Sequence, residues 1–122
     1  MPKSDDYDLE DRTSKFSESV IELCQTLNET AVTRPLISQL VRSASSIGAN
    51  YCEANDAHSP RDFRHKIALC RKESRETKYW CRLMAKAVNS KANEFRPLWQ
   101  EAHELNLIFS TIFRKTKPAP EA

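Results

Sequence analysis

Apolar residues recur along this chain at alternating steps of four and three, and the rhythm restarts three times. Leu9, Thr13, Phe16, Val20, Leu23 and Leu27 form a first seam, and Ile37, Leu40, Ala44, Ile47, Tyr51 and Ala54 a second. Phe63, Ile67, Cys70, Ser74, Thr77, Cys81, Met84 and Val88 form a third, and Phe95, Leu98, Ala102, Leu105, Phe109 and Ile112 a fourth. A step of four then three averages about 3.5 residues, the period that keeps one helical stripe facing a neighbouring helix. Four such stripes in succession predict an all-α fold, an antiparallel up-down-up-down left-handed four-helix bundle.

Boundary residues punctuate the same pattern. Thr33 before Pro35, and Ser59 before Pro60, read as helix starts, because a missing N–H costs nothing in a first turn. Asn89-Ser90 closes the third segment, and Asn93 is placed to cap the fourth, with Pro97 in its first turn. The expected helices run about 8–28, 34–55, 60–89 and 93–115, with connections short enough to make neighbours antiparallel. They form one domain, 8–115, between a flexible N-terminus at 1–7 and a flexible C-terminal tail at 116–122, where two prolines follow the last seam residue.

Composition narrows the class. With 122 residues there is room for one core. The 39% hydrophobic content suits a packed domain, and a single Gly disfavours a β fold, which needs many tight turns. No signal-like or membrane-spanning apolar run is present, so the expected location is cytoplasmic. Cys24, Cys52, Cys70 and Cys81 lie on or beside the seams without a Cys-x-x-Cys pair. They read as buried free thiols in a reducing compartment, against the alternatives of a disulfide or a metal site.

Two faces do not fit an ordinary monomer. The polar face of the second segment, Ser38, Gln39, Arg42, Ser43, Ser45, Ser46, Ala49, Asn50 and Glu53, is small and almost uncharged, and Gly48 adds to it. It is either a serine-rich solvated face or a polar contact inside the bundle or between subunits. On the third segment, Leu69, Trp80, Leu83 and Ala87 lie off the seam and widen the apolar arc to about 200°, where a surface helix needs little over 100°. Leu69, Trp80 and Leu83 are therefore candidate oligomer-interface residues.

The other flank of that helix is basic. Arg64, Arg71, Arg75, Lys78, Arg82 and Lys86 fall within about 80° of one another on a helical wheel. Such a line can follow a phosphate backbone, and these six are the candidate nucleic-acid contacts. The alternative is a solvated face neutralised by acids on adjacent helices. The net charge of +2 decides nothing alone.

The run Gln39-Leu40-Val41-Arg42-Ser43-Ala44-Ser45-Ser46-Ile47-Gly48-Ala49-Asn50-Tyr51-Cys52-Glu53-Ala54 resembles the signature of the 23S rRNA intervening-sequence proteins, the four-helix-bundle protein family. Asp62-Phe63-Arg64-His65-Lys66-Ile67 and Arg71-Lys72-Glu73-Ser74-Arg75-Glu76-Thr77-Lys78-Tyr79-Trp80 resemble its second block, and the likeness extends from about Leu9 to about Phe113. The resemblance implies a bundle that assembles as a ring, commonly a homopentamer. It also implies a relation to the accessory variability determinant of diversity-generating retroelements, a basic barrel that binds nucleic acid and a reverse transcriptase. Arg42, Asn50, Glu53, Glu73 and Glu76 match the signature and read as a structural or interface polar set, buried and fixing register between helices or subunits.

No enzyme is expected. A di-metal carboxylate site needs paired Glu-x-x-His motifs, and the nearest approach is Asp62-Phe63-Arg64-His65, once. His58, His65 and His103 are far apart, and a single Gly excludes a glycine-rich phosphate loop. No catalytic residue, metal or cofactor is expected. The expected partners are the chain itself and, beyond it, RNA or DNA through a basic ring or a protein through an interaction scaffold; no membrane is expected.

Overall fold

A computed structural model describes residues 8–116. The expected flexible segment 1–7 and nearly all of the 116–122 tail lie outside the described residues. The described residues form four α-helices: α1 Leu9–Gln25, α2 Thr33–Asn55, α3 Pro60–Ala87 and α4 Ala92–Lys115. A one-turn 3-10 segment, Asn89–Lys91, joins the last two. No strand occurs among the described residues.

Every seam position is buried or half-buried. Of the buried residues, only Cys24, Thr33, Ser43 and Glu73 fall outside the four seams. Phe95, Phe109, Leu40, Ile47, Ile67, Met84 and Leu105 form the centre of the core. The Tyr51 and Phe109 rings meet across it, with centroids 5.8 Å apart. Seam hydroxyls are tolerated there because they bond back to their own helix: Thr13 to Leu9 O at 2.6 Å, Ser74 to Arg71 O at 3.0 Å and Thr77 to Glu73 O at 2.7 Å.

Paired residues show how consecutive helices lie. Thr13 meets Gly48 and Ser17 meets Ala44 between α1 and α2. Glu53 meets Lys66 and Ser43 meets Thr77 between α2 and α3. Arg64 meets Phe113 and Lys78 meets His103 between α3 and α4. Each series rises in one helix as it falls in the next. α3 packs extensively on both α2 and α4, whereas α1 rests mainly on α2 and touches α4 lightly.

The helix starts correct the sequence reading in two places. Ser59 caps α3 as expected, its hydroxyl accepting from Asp62 N at 3.0 Å with Pro60 next in the chain. Thr33, however, is not the cap of α2. The Thr30 hydroxyl accepts from Thr33 N at 3.0 Å, while Thr33 Oγ1 accepts from Thr30 N at 2.8 Å. This is a reciprocal capping box in which threonine replaces the usual glutamate three residues on. Asn93 does not cap α4 either: the 3-10 turn feeds directly into the helix, and Asn93 Oδ1 accepts from Arg96 instead. Pro97 consequently falls in the second turn, where it removes one backbone hydrogen bond. α1 ends at Gln25, three residues early, where the Thr26 hydroxyl bonds to Leu23 O at 2.7 Å.

Three of the four cysteines are buried as expected, but Cys52 is exposed, on the outer side of α2. Burial pushes the Cys70 and Cys81 thiols up to about 12. Cys24 is raised for the same reason. Cys52 is raised chiefly by its hydrogen bond to Glu10. No helix among the described residues is long and apolar enough to cross a membrane.

Candidate nucleic-acid interface

The six candidate cations all lie on the flank of α3 that turns toward α4. Arg71, Arg75, Arg82 and Lys86 are exposed, and Arg64 and Lys78 are half-buried. None of the six forms an ion pair among the described residues. Several cations elsewhere do: Arg12 with Glu101 and Glu104, Lys15 with Asp11, Arg34 with Glu29, Arg42 with Glu73 and Glu76, Lys66 with Glu53, and Lys91 with Glu94. Arg61, Lys72, Arg96, Arg114 and Lys115 form none either among the described residues, so the stripe is distinguished by its alignment rather than by the lack of partners alone.

The reason lies in α4. One residue past each seam position it carries Arg96, Trp99, His103, Asn106, Ser110 and Phe113, with no acid among them. One residue before, it carries Glu94, Glu101 and Glu104. The first row borders the α3 cations. From the second, Glu101 and Glu104 turn the other way and hold Arg12 of α1, at 2.7 Å and 3.0 Å. The acids that could neutralise the stripe are thus on the wrong side of their helix.

What faces the stripe is aromatic and polar. The Arg64 guanidinium lies 3.9 Å from the Phe113 ring centroid and Arg71 5.2 Å from the same ring. A cation over an aromatic face is attracted by the ring quadrupole, which here compensates an Arg64 Nε that is buried without a hydrogen-bond partner among the described residues. Lys78 Nζ is 3.2 Å from His103 Nδ1 and 5.6 Å from the Trp99 ring, and the His103 and Trp99 rings stack with centroids 5.1 Å apart. Asn106 Nδ2 donates to Arg71 O at 2.8 Å. An open cleft of about 450 Å³ is lined by Arg71, Lys72, Arg75, Lys78, Asn106 and Ser110, among others, with one acid, Glu76, which Arg42 engages at 3.1 Å. The sequence reading found the cations but missed Tyr79, Trp99, His103 and Phe113. For the three on α4, the row that follows the fourth seam is visibly free of acid in the sequence, but that this row meets α3 is decided only by packing.

The polar set is divided. Glu73 is buried, 9% exposed, with Arg42 Nη1 at 3.5 Å. Arg42 also reaches Glu76 at 3.1 Å and is itself half exposed. Asn50 is half-buried and donates to Ser46 O at 2.8 Å. Glu53 is exposed and pairs with Lys66 at 2.7 Å, which holds the Lys66 ammonium above its usual range. Within one chain, then, burial of the whole set is not observed; Glu73 alone is fully inside. The candidate interface residues Leu69, Trp80 and Leu83 are all half-buried, but they differ in setting. Trp80 packs against the core, whereas Leu69 and Leu83 do not join it. Glu73 Oε1 and Trp80 Nε1 are buried without a hydrogen-bond partner among the described residues, as is Arg64 Nε on the opposite flank of the helix.

Among the described residues, no three His, Cys, Asp or Glu side chains converge as metal ligands would. Comparison with solved structures finds a protein of unknown function from the S23 ribosomal protein family of Bacteroides thetaiotaomicron. It shares 27% identity at a TM-score of 0.79, covering 91% of this chain and 99% of the other. No curated protein matches the chain. The family model for the 23S rRNA-intervening sequence protein matches residues 5–111, so the chain belongs to that family.

Proposed function

We propose that this protein is a non-enzymatic, ring-forming bundle, up-down-up-down and left-handed, that binds nucleic acid through the α3 stripe. The observation that carries this reading is the line of six cations without a carboxylate partner among the described residues, bordered by a row of α4 that contains no acid. A polyanion supplies the missing counter-charge, and repetition of the stripe around a ring strengthens the field. The α2-facing flank of α3, with Leu69 and Leu83 beside the unsatisfied Glu73 and Trp80 atoms, supports a contact with a second copy. A homopentamer is the assembly that the family resemblance favours, and the cytoplasm is the location.

Fluorescence polarisation with mixed RNA and DNA oligomers at about 50 mM salt tests this reading. Binding should fall linearly on a log–log plot against salt, and Arg71→Glu with Lys78→Glu should abolish it while the assembly stays intact. Absence of binding at tens of micromolar protein would leave the second reading. That reading is a protein-interaction scaffold or accessory subunit working through the α2-facing flank.

A further inference from the structure

We propose that the cleft between Tyr79 and Trp99 holds an unpaired nucleobase, so that the basic flank takes single-stranded nucleic acid in preference to duplex; this rests on the nucleic-acid reading above. Tyr79 is 56% exposed and Trp99 37%. Both line one open cleft of about 440 Å³ together with Arg75, Lys78 and Arg82. Scattered apolar side chains on a surface need no explanation, but two aromatic rings among three cations form a stacking platform beside phosphate-binding charge.

The rings are held in place. Trp99 lies nearly parallel to His103, at 14°, and Tyr79 meets Trp80 edge-on with centroids 5.1 Å apart. The one acid in the lining, Glu76, is engaged by Arg42 at 3.1 Å. Arg75, Lys78 and Arg82 span about 10 Å of helix, enough for successive phosphates of a strand whose base enters the cleft. In a duplex the faces of a base are covered by its stacked neighbours and only the edges meet protein. Stacking on Tyr79 or Trp99 therefore requires a base that has left the stack.

The test is fluorescence polarisation with the full chain and labelled oligomers of about 12 nucleotides, a length within the usual single-strand site range. The probes are single-stranded RNA, single-stranded DNA, duplexes of equal length, and polyglutamate as a polyanion without bases. Single strands should bind about tenfold more tightly than duplex at the same salt. Trp99→Ala and Tyr79→Ala should each lower single-strand affinity about tenfold, with the salt slope unchanged, and Trp99→Phe should restore most of it. Circular dichroism checks that each variant is folded; the exposed Tyr79 provides the second variant should Trp99→Ala unfold. This pattern with either RNA or DNA supports the proposal, and the tighter of the two identifies the source. Equal binding of single strand and duplex, unchanged in both variants, overturns the base cleft and leaves the electrostatic reading standing. Polyglutamate binding as tightly as the single strands overturns it in favour of an acidic protein partner, and failure of every nucleic acid to bind removes the underlying reading itself.

Discussion

Gly48 lies so close to Thr13 that a Cβ on it would come within 3.0 Å of the Thr13 hydroxyl oxygen and 3.3 Å of its Cβ. The hydroxyl cannot swing away freely, because it is fixed to Leu9 O at 2.6 Å. Alanine in a helix interior ordinarily gains about 1 kcal/mol over glycine. Here the steric conflict outweighs that gain, and Gly48→Ala should lower stability by about 1 kcal/mol, read by urea denaturation. Adding Thr13→Ala removes the obstructing oxygen, so the two substitutions should be non-additive, with the double variant recovering part of the loss.

Arg12 is the principal polar tie between α1 and α4. It donates to both oxygens of Glu101, at 2.7 Å and 2.8 Å, and to Glu104 at 3.0 Å. Its side chain is mostly covered, and Arg12→Ala should destabilise the fold by about 1–2 kcal/mol, a charge-assisted bond discounted for partial exposure. Hydrogen bonds from Gln100 and Arg12 hold the Glu104 carboxyl below its ordinary value of 4.5. A depressed carboxylate contributes stability that is present above that ordinary value and lost as pH falls through the folded one. Thermal melts should therefore show wild type losing more stability than Arg12→Ala as the pH drops below about 4.5.

Arg42 and Glu53 should separate clearly in the same assay. Removing Arg42 strands the buried Glu73 carboxylate, and Arg42→Ala should cost about 2–3 kcal/mol, less than a fully buried pair because Arg42 is half exposed. Glu53→Ala breaks an exposed pair with Lys66 and should cost under about 1 kcal/mol. Equal losses would mean that Glu73 is solvated in practice.

The helices were legible because burial and period are the same fact in a four-stripe bundle: Leu40, Ile67, Phe95 and Phe109 could face nowhere else. The capping box at Thr30 and Thr33 was not, because its second member is a threonine where the common pattern has Glu or Gln. Cys52 was misplaced because it neighbours a seam residue, Tyr51, and adjacency on a helix turns a side chain by 100°. The cations of the candidate interface could be read from α3 alone. Their lack of partners could not, since it depends on which row of α4 meets α3, a matter of packing rather than of either sequence segment.

Thiol labelling should report the burial pattern directly. Cys52 alone is exposed, so one equivalent should react in the native protein and three more only in denaturant. Glu10 accepts the Cys52 thiol hydrogen bond and its charge opposes the thiolate, both of which raise the thiol. Glu10→Gln removes the charge, and native-state alkylation at neutral pH should become faster, since the thiolate is the reacting species. An unchanged rate would show that the contact does not persist in solution.

Assembly can be separated from folding by choosing residues on the α2-facing flank of α3 that lie outside the core. Trp80 is unsuitable alone: it packs against the core, so Trp80→Glu should lower both helicity and assembly. Leu69 and Leu83 are half-buried without joining that cluster. In a monomer, glutamate at either half-buried position keeps its charge in water and forfeits part of the leucine burial, about 1 kcal/mol. In an assembly that buries this flank, the same charge is desolvated beside Glu73 and Glu76 and is repelled by both. Leu69→Glu and Leu83→Glu should therefore keep wild-type circular dichroism at low concentration while shifting sedimentation from an oligomer toward the 14.0 kDa chain. A wild-type protein that sediments as the single chain at micromolar concentration would sink the assembly proposal. An oligomer untouched by either substitution would place its interface on another face.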